Sequence, residues 1–267
     1  MRPDGQGGSV VMERISRSMT TCCLTILIAL VLILASGLSW LYYSDWHAGK
    51  VDDERRQRAV SSILRQAHKA ADDTARSLNA SHSSDADRLT DVIWKHTGSP
   101  LITYDTSRRA FTARLSKQVM YETAGVIPGG GSDAVRRCLD FTYSRPHGQA
   151  WTPKVTVRDD DVCRPATDIG SQSRLAATRI EGIDVRELTR AGVQKALDPA
   201  GTLRTLTVKG VARGDGTIAV SVLISSHDGT ASQCYRITRS APAPGPGPGP
   251  GPGAAHPSVT EAPTSSC

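Results

Sequence analysis

Few residues in the chain have the type and spacing that chemistry needs, and each also has a structural explanation. The consecutive carboxylates 159–161 offer the oxygen ligands that Ca²⁺ takes, but no EF-hand spacing surrounds them, so a solvated acidic loop accounts for them. The glycine-rich stretch 129–133 lacks the lysine that completes a phosphate-binding loop. We therefore predict no metal site and no cofactor.

Signatures of catalysis are also missing from the sequence. It contains neither a Gly-x-Ser-x-Gly elbow nor a His-Glu-x-x-His helix. His96 falls on the apolar face of a predicted helix, which is typical of a core histidine. The adhesion tripeptide 213–215 overlaps a residue pair that hairpin turns prefer. A triad built from distant residues stays open, because such sites are recognised by geometry. The sequence thus favours a non-enzymatic protein with no catalytic residue to name.

The element that determines the cellular location of the chain is an uncharged run from Cys22 to Tyr43. A helix rises about 1.5 Å per residue, so these residues can cross a hydrocarbon core of roughly 30 Å. A helix also satisfies its own backbone polar groups, as lipid requires. A cleaved signal peptide with small residues at 35–37 is the alternative. We favour an uncleaved anchor because the apolar run continues through Leu41.

The charges that flank this run predict its orientation. Arg2, Arg14 and Arg17 precede it, whereas acids and bases mix behind it, and basic residues collect on the cytoplasmic side of a membrane. Aromatic rings at positions 40–46 then fall at the outer boundary, where such rings concentrate. We expect a cell-membrane protein with a cytoplasmic N-terminus and an extracytoplasmic C-terminal domain.

Export determines how the four cysteines behind the run are interpreted, because disulfides persist outside the cytoplasm. Cys138 and Cys163 flank a hairpin-like stretch and close a short loop, so we predict a disulfide between them. Cys138 with Cys234 is the rival pairing, and Cys267 ends the C-terminal tail. The absence of Cys-x-x-Cys and His-x-x-x-His spacing argues against zinc.

A helical stalk is predicted behind the membrane segment, since residues 50–78 contain neither Pro nor Gly. Small alanines in its apolar stripe would make a coiled coil weak. A weak homodimer through the stalk and a helix lying on the globular domain both stay open. The apolar stripe consists of Val60, Leu64, Ala67, Ala71 and Leu78.

Residues 83–240 predict an α+β domain with an antiparallel sheet. Two similar helix-plus-three-strand units are indicated, with capped helices that open at 84–87 and at 184–187. The strand segments 137–142 and 233–238 correspond position by position, each with a cysteine in second place. The units are either a duplication or two halves of one sheet.

Three remaining stretches carry less signal. Residues 151–163 predict a further strand between the units, and 167–174 are expected to be irregular. The tail from residue 241 onward alternates Pro with Gly and is then rich in Ser, Thr and Ala, so we predict disorder.

The net charge is +6, but the bases are scattered among acids without interleaved aromatics, which argues against nucleic acid as a partner.

The chain as a whole resembles uncharacterised single-pass membrane-anchored or secreted proteins of high-GC actinobacteria, which form no characterised family. The features that carry the resemblance are an Arg- and Ala-rich composition, the strand 101–105, the turn 162–167, the strand 233–238 and the Pro-Gly tail. It implies a cell-envelope location and carries over no catalytic residue. In topology alone, the chain is also similar to anchored subunits of conjugation or secretion machines, but a shared fold does not give function.

These patterns predict a membrane-anchored, extracytoplasmic binding or scaffold protein of the cell envelope, with envelope proteins or the cell wall as partners. A small-ligand sensor and a secretion or conjugation subunit are the alternatives, and an envelope hydrolase is a lesser one. The predicted segments are a basic cytoplasmic N-terminus at 1–21, a transmembrane helix at 22–43, a helical stalk at 44–82, an α+β domain at 83–240 with halves at 83–165 and 166–240, and a disordered tail at 241–267.

Overall fold

The computed structural model describes residues 9–124, 131–146, 149–202, 204–214, 216–240 and 258–267, with side chains from residue 25 onward. The predicted α+β class is confirmed. The helices are α1 (Ser9–Ser81), α2 (Ala86–Thr97), α3 (Arg164–Glu181) and α4 (Arg190–Leu197). The strands are β1 (Leu101–Asp105), β2 (Ala110–Glu122), β3 (Ser132–Ser144), β4 (Thr152–Arg158), β5 (Leu206–Gly214), β6 (Thr217–Ser225), β7 (Ser232–Ser240) and β8 (Val259–Thr264).

The chain divides into two compact units, of which the first comprises Met1–Gln57 and Tyr121–Asp133. In this unit the end of the β2–β3 hairpin is fixed to α1. The amide of Ala124 donates a hydrogen bond to the carboxylate of Asp52 at 2.6 Å, and Arg55 donates to the carbonyl of Glu122 at 2.9 Å.

Helix α1 is, among the described residues, the one helix long and apolar enough to cross a membrane. Its apolar side chains are exposed over residues 25–43, and Ile33, for example, is 71 % exposed. Large exposed apolar side chains in a contiguous run mark a surface that meets lipid or protein. The predicted segment at 22–43 therefore lies within this helix.

The second unit comprises Arg58–Met120 and Ala134–Cys267 and contains two four-stranded antiparallel sheets. The first sheet has the order β1-β2-β3-β4. The C-terminal part of α1 buries the stripe that includes Ile63, Ala67, Ala71 and Leu78. Ile63 and Ala67 line one pocket together with Leu139 and Phe141 of β3, so this helix face lies on the first sheet. The predicted stalk is thus part of the globular fold from about residue 59 onward. The predicted stripe is shifted at its start, since Ala59 and Ile63 are buried whereas Val60 and Leu64 are half-buried.

The second sheet has the order β5-β6-β7-β8 and is covered by α3 and α4. Its core consists of alternating residues of β5, β6 and β7 packed against one face of each helix. Arg239 of β7 is buried and donates to the carbonyl of Ile180 in the last turn of α3 and to that of Ile183 just beyond the helix.

Three details of the sequence interpretation are wrong. Residues 167–174 are not irregular but lie in α3, because Pro165 is tolerated in the first turn of a helix and Ala166 and Ile169 bury an apolar face. The helix expected from Asp184 begins instead at Arg190, with Thr189 as its N-cap, and Asp184 caps a short 3-10 turn.

The third correction concerns the number of strands. Each sheet has four strands, not three. The further strand predicted at 151–163 is β4, which completes the first sheet, whereas β8, which the sequence interpretation did not predict, completes the second. The prediction of a disordered tail at 241–267 is therefore wrong for residues 258–267, whereas 241–257 lie outside the described residues, as do residues 1–8 of the predicted cytoplasmic segment. Ser240 and Ser258, which flank residues 241–257, are hydrogen-bonded to each other. The Ser240 amide donates to the Ser258 carbonyl at 3.1 Å, and the two hydroxyl groups also form a hydrogen bond.

Candidate binding cleft

The four cysteines that follow the apolar run form two disulfides in the structure. Cys138 is bonded to Cys163, with Cα atoms 5.5 Å apart, and Cys234 is bonded to Cys267, with Cα atoms 5.4 Å apart. The rival pairing of Cys138 with Cys234 is not the one the structure contains. Sequence reasoning missed the second bond because it assigned Cys267 to a disordered tail.

The other candidates from the sequence do not converge on one site. Within the described residues, no group of three or more His, Cys, Asp and Glu could hold a metal ion. Asp161 is paired with Arg164 at 2.6 Å on the surface. His96, expected in the core, is exposed and bonded to Ser77 at 2.9 Å. Residues 129, 130, 147 and 215 lie outside the described residues.

The feature that stands out is a cleft with a volume of about 210 Å³ where α2, α3, β2, β3 and β8 meet. We call it the β8 cleft. Helix α2 is positioned there by its caps, since Asp85 accepts from the Asp87 amide and Gly98 ends the helix at φ 65°. The residues that carry its chemistry are Trp94 of α2, Arg136 of β3, Ser173 and Arg174 of α3, and Glu261 of β8.

Glu261 occupies a position where the strand pattern demands an apolar side chain. It pairs with Ile237 across the β7–β8 ladder, and residues that pair across strands share one face of a sheet. Ile237 is fully buried on the core side. One carboxyl oxygen of Glu261, Oε2, is buried and has no hydrogen-bond partner in the described part of the chain. A buried polar atom in this state calls for a ligand or another explanation.

Different parts of the surroundings of Glu261 have opposite effects on the pKa of its carboxyl. Burial raises the pKa of the Glu261 carboxyl and has the largest effect, while the nearby hydroxyl of Ser173 and the positive charge of Arg174 lower it. Ser173 is itself buried, and its hydroxyl donates to the carbonyl of Gly170 at 3.1 Å. The floor of the cleft therefore holds an acidic group that is incompletely compensated.

The walls of the cleft are rigid. The Tyr235 hydroxyl donates to the carbonyl of Pro100 at 2.7 Å, and the rings of Trp94 and Tyr235 meet edge to face with centroids 6.4 Å apart. Burial, above all, raises the pKa of Tyr235, so its hydroxyl stays protonated. Gly170 lies so close to Pro100 that an added Cβ would meet the proline Cβ at 3.0 Å. These contacts hold α2, α3 and the second sheet in place around the cavity.

The mouth of the cleft is basic. Arg136 and Arg174 are both exposed, in contrast to Ser173 and Glu261 at the floor. Arg136 donates to the side chain of Gln118 at 3.1 Å, which directs its guanidinium along the β2–β3 surface. Guanidinium groups bind carboxylates and phosphates through paired hydrogen bonds. The charges are thus ordered by depth, with the acid inside and the bases at the rim.

A larger open groove of about 730 Å³ adjoins the cleft and shares Trp94 and Glu261 with it. Three of its charged residues have partners, since Lys95 is paired with Asp91 at 2.6 Å, and Asp87 accepts from the amide of Ser265 at 2.8 Å. This groove extends the access to the cleft.

Comparisons with protein-family models, with curated proteins and with solved structures give no match for this chain. The residues of the cleft alone must therefore indicate its chemistry. Neither His nor Cys lines the cleft among the described residues, and its buried hydroxyl, Ser173, donates to a backbone carbonyl. The arrangement is suited to bind a small polar molecule.

Sequence reasoning missed this site for one reason. The prediction of a disordered tail removed Glu261 from the fold, and with it the floor of the cleft. The local pattern gives little help, since the run 259–264 places the charged Glu261 and the proline Pro263 where a strand signal needs apolar residues.

Proposed function

We propose that this protein is a membrane-anchored, extracytoplasmic binding protein of the cell envelope and that it is not an enzyme. The exposed apolar part of α1 and the two disulfides support this proposal, because the first suits a lipid environment and the second an oxidising compartment. Arg2, Arg14 and Arg17 ahead of the apolar run support a cytoplasmic N-terminus.

The β8 cleft is the proposed binding site, and the observation that carries this proposal is the placement of Glu261. A carboxyl group on the core side of a strand, with one oxygen unpartnered, costs stability unless something gives it a partner. Binding sites contain groups of this kind because a few well-placed polar atoms fix the ligand. We propose a small polar ligand, so that the protein acts as a sensor or carrier at the membrane.

An anchored subunit of a secretion or conjugation machine is the second candidate. The chain contains two successive α+β modules, the first built on the sheet β1–β4 and the second on the sheet β5–β8, and their tandem arrangement outside the predicted membrane span favours this candidate. In that case the modules would serve as docking surfaces for neighbouring subunits. The genes beside this one distinguish the candidates, because a machine subunit is encoded together with other components.

The proposed binding function is tested by thermal unfolding of the full-length protein in detergent or lipid nanodiscs. A dialysable low-molecular-weight extract of the host envelope should raise the melting temperature, because a ligand that binds only the folded state stabilises it. The extract should stabilise wild type and Glu181→Gln, a control at an exposed acid of α3, but not Glu261→Gln. Equal stabilisation of both variants, or none of wild type, would contradict the proposal.

A further inference from the structure

We propose that the ligand of the β8 cleft is a free α-amino acid, with its ammonium group on Glu261 and its carboxylate between Arg136 and Arg174. This inference rests on the proposed binding function. It names the chemical class of ligand from three properties of the cleft, namely its size, the order of its charges and its apolar wall.

Size excludes most ligands. Pockets for drug-sized molecules or cofactors have volumes of roughly 300–1,000 Å³, whereas the cleft has about 210 Å³. Nucleotides, sugars longer than one unit and lipid tails exceed this space and would have to extend into the adjoining groove. The cleft itself holds the backbone of a single amino acid, and the groove leaves the entrance open for its side chain.

The order of charges requires a ligand with two opposite charges a short distance apart. The floor presents the buried Oε2 of Glu261 and the hydroxyl of Ser173, which both accept hydrogen bonds from an ammonium group. The rim presents the guanidinium groups of Arg136 and Arg174, which suit a carboxylate. Simple anions would leave the floor unpaired, and simple cations would meet repulsion at the rim.

Trp94 supplies the apolar wall. Its indole lines both the cleft and the adjoining groove, and its ring is held against Tyr235. An aromatic surface beside a charged floor accommodates the aliphatic part of an amino acid, and it also attracts a nearby cation. The side chain of the ligand would therefore lie along Trp94 and point toward the open groove.

Binding of this ligand must depend on pH in a defined direction. Burial raises the pKa of the Glu261 carboxyl above its ordinary value, so the empty cleft holds a proton on Glu261 at acidic pH. An ammonium group pairs with the ionised carboxylate only. Affinity should therefore increase as the pH rises through the pKa of Glu261, with release of a proton on binding.

Isothermal titration of the full-length protein in nanodiscs tests this inference with glycine, both enantiomers of alanine, and L-valine as probes. Two analogues of alanine separate the charges, since N-acetylalanine lacks the ammonium group and alaninamide lacks the carboxylate. We expect at least one probe to bind and both analogues of alanine to bind at least tenfold more weakly than alanine. Affinity should also be at least tenfold lower at about pH 4 than at about pH 7.

Two variants test which residues bind the ammonium group and the carboxylate of the ligand. Glu261→Gln should reduce the affinity at least tenfold and abolish its pH dependence, and Arg174→Gln should reduce it severalfold, whereas Arg204→Gln, on an exposed loop, should leave it unchanged. If Glu261→Gln does not fold, the pH dependence of the affinity and the binding of the two analogues to the wild type still test the amino-acid assignment. Equal binding of the analogues, or no binding of any probe, would overturn the amino-acid assignment. Stabilisation by the envelope extract would in that case still uphold the binding function.

Discussion

Cys138 and Cys234 occupy the same place in two successive modules. Each lies in the third strand of its sheet, β3 or β7, and each is bonded to a cysteine that follows the fourth strand. Cys138 pairs in register with Arg158 at the end of β4, and Cys234 pairs with Thr264 at the end of β8. Both modules therefore contain a four-stranded antiparallel sheet whose last strand is fixed covalently to the third.

Removal of the second disulfide should destabilise the protein. In the chain-entropy account, a bond that closes a loop of 25 or 33 residues contributes about 3–4 kcal/mol. The double variant with Cys234→Ser and Cys267→Ser should lose about this much free energy of unfolding, and the matched pair Cys138→Ser and Cys163→Ser a similar amount. Urea unfolding of the non-reduced proteins measures both changes.

Peptide mapping under non-reducing conditions checks the bonds themselves. The structure predicts one linked peptide containing Cys138 with Cys163 and another containing Cys234 with Cys267. A peptide that links Cys138 to Cys234 would contradict the arrangement and would revive the rival pairing.

The partly buried Glu261 should make the stability of the protein depend on pH. Because its pKa is raised in the folded state, the folded protein binds more protons than the unfolded chain above the ordinary pKa of 4.5. The contribution of Glu261 to stability is therefore fully present below this value and is lost as the pH rises through the folded pKa. Glu261→Gln should remove this loss.

The measurement is the melting temperature of wild type and Glu261→Gln between about pH 4 and pH 8. Relative to wild type, the melting temperature of Glu261→Gln should increase as the pH rises. Glu181→Gln removes the same charge at an exposed site, so its melting temperature should depend on pH in the same way as that of wild type. A constant difference for Glu261→Gln would show that this carboxyl is not perturbed.

Gln194 of α4 protects the free edge of β5. Its side-chain amide donates to the carbonyl of Leu206 at 3.2 Å, and its carbonyl accepts from the amide of Val208 at 2.8 Å. Gln194→Ala leaves both backbone groups without these partners, so we expect a loss of about 1–3 kcal/mol. An exposed strand edge also promotes association between chains.

Denaturant unfolding and light scattering together test the role of Gln194. The variant Lys195→Ala serves as the control, since Lys195 is exposed and lies next to Gln194 on the same helix. A stability equal to wild type together with unchanged association would rule out edge protection by this side chain.

The sequence predicts those elements whose local signals agree with their packing. Helix α2 is an example, since Asp85 caps its start and Gly98 ends it in the left-handed conformation, as the pattern indicates. The β5–β6 and β6–β7 hairpins follow from alternating residues and Gly at the turns, where Gly216 and Gly229 adopt φ 70°. In these elements the short-range pattern contains the necessary information.

The elements that were missed depend on contacts distant in the chain. Helix α3 contains Pro165 and Gly170 among Ser and Thr, so local propensity disfavours it, yet Gly170 is the residue that lets the helix approach Pro100. Strand β8 follows a Pro-Gly segment and is held by pairing to β7 and by Cys267. The binding cleft depends on both of these elements, which is why its residues could not be found from motifs.

The central claim is that α1 anchors the protein and places the two modules outside the membrane. Protease treatment of intact cells or spheroplasts, with a tag at each terminus and the mature mass read from the same samples, tests it most directly. The account predicts a full-length mass, a C-terminal tag that the protease removes and an N-terminal tag that stays protected. A mature chain that begins near Leu38 and is found in the medium would contradict the anchor and show that the segment is a cleaved signal peptide.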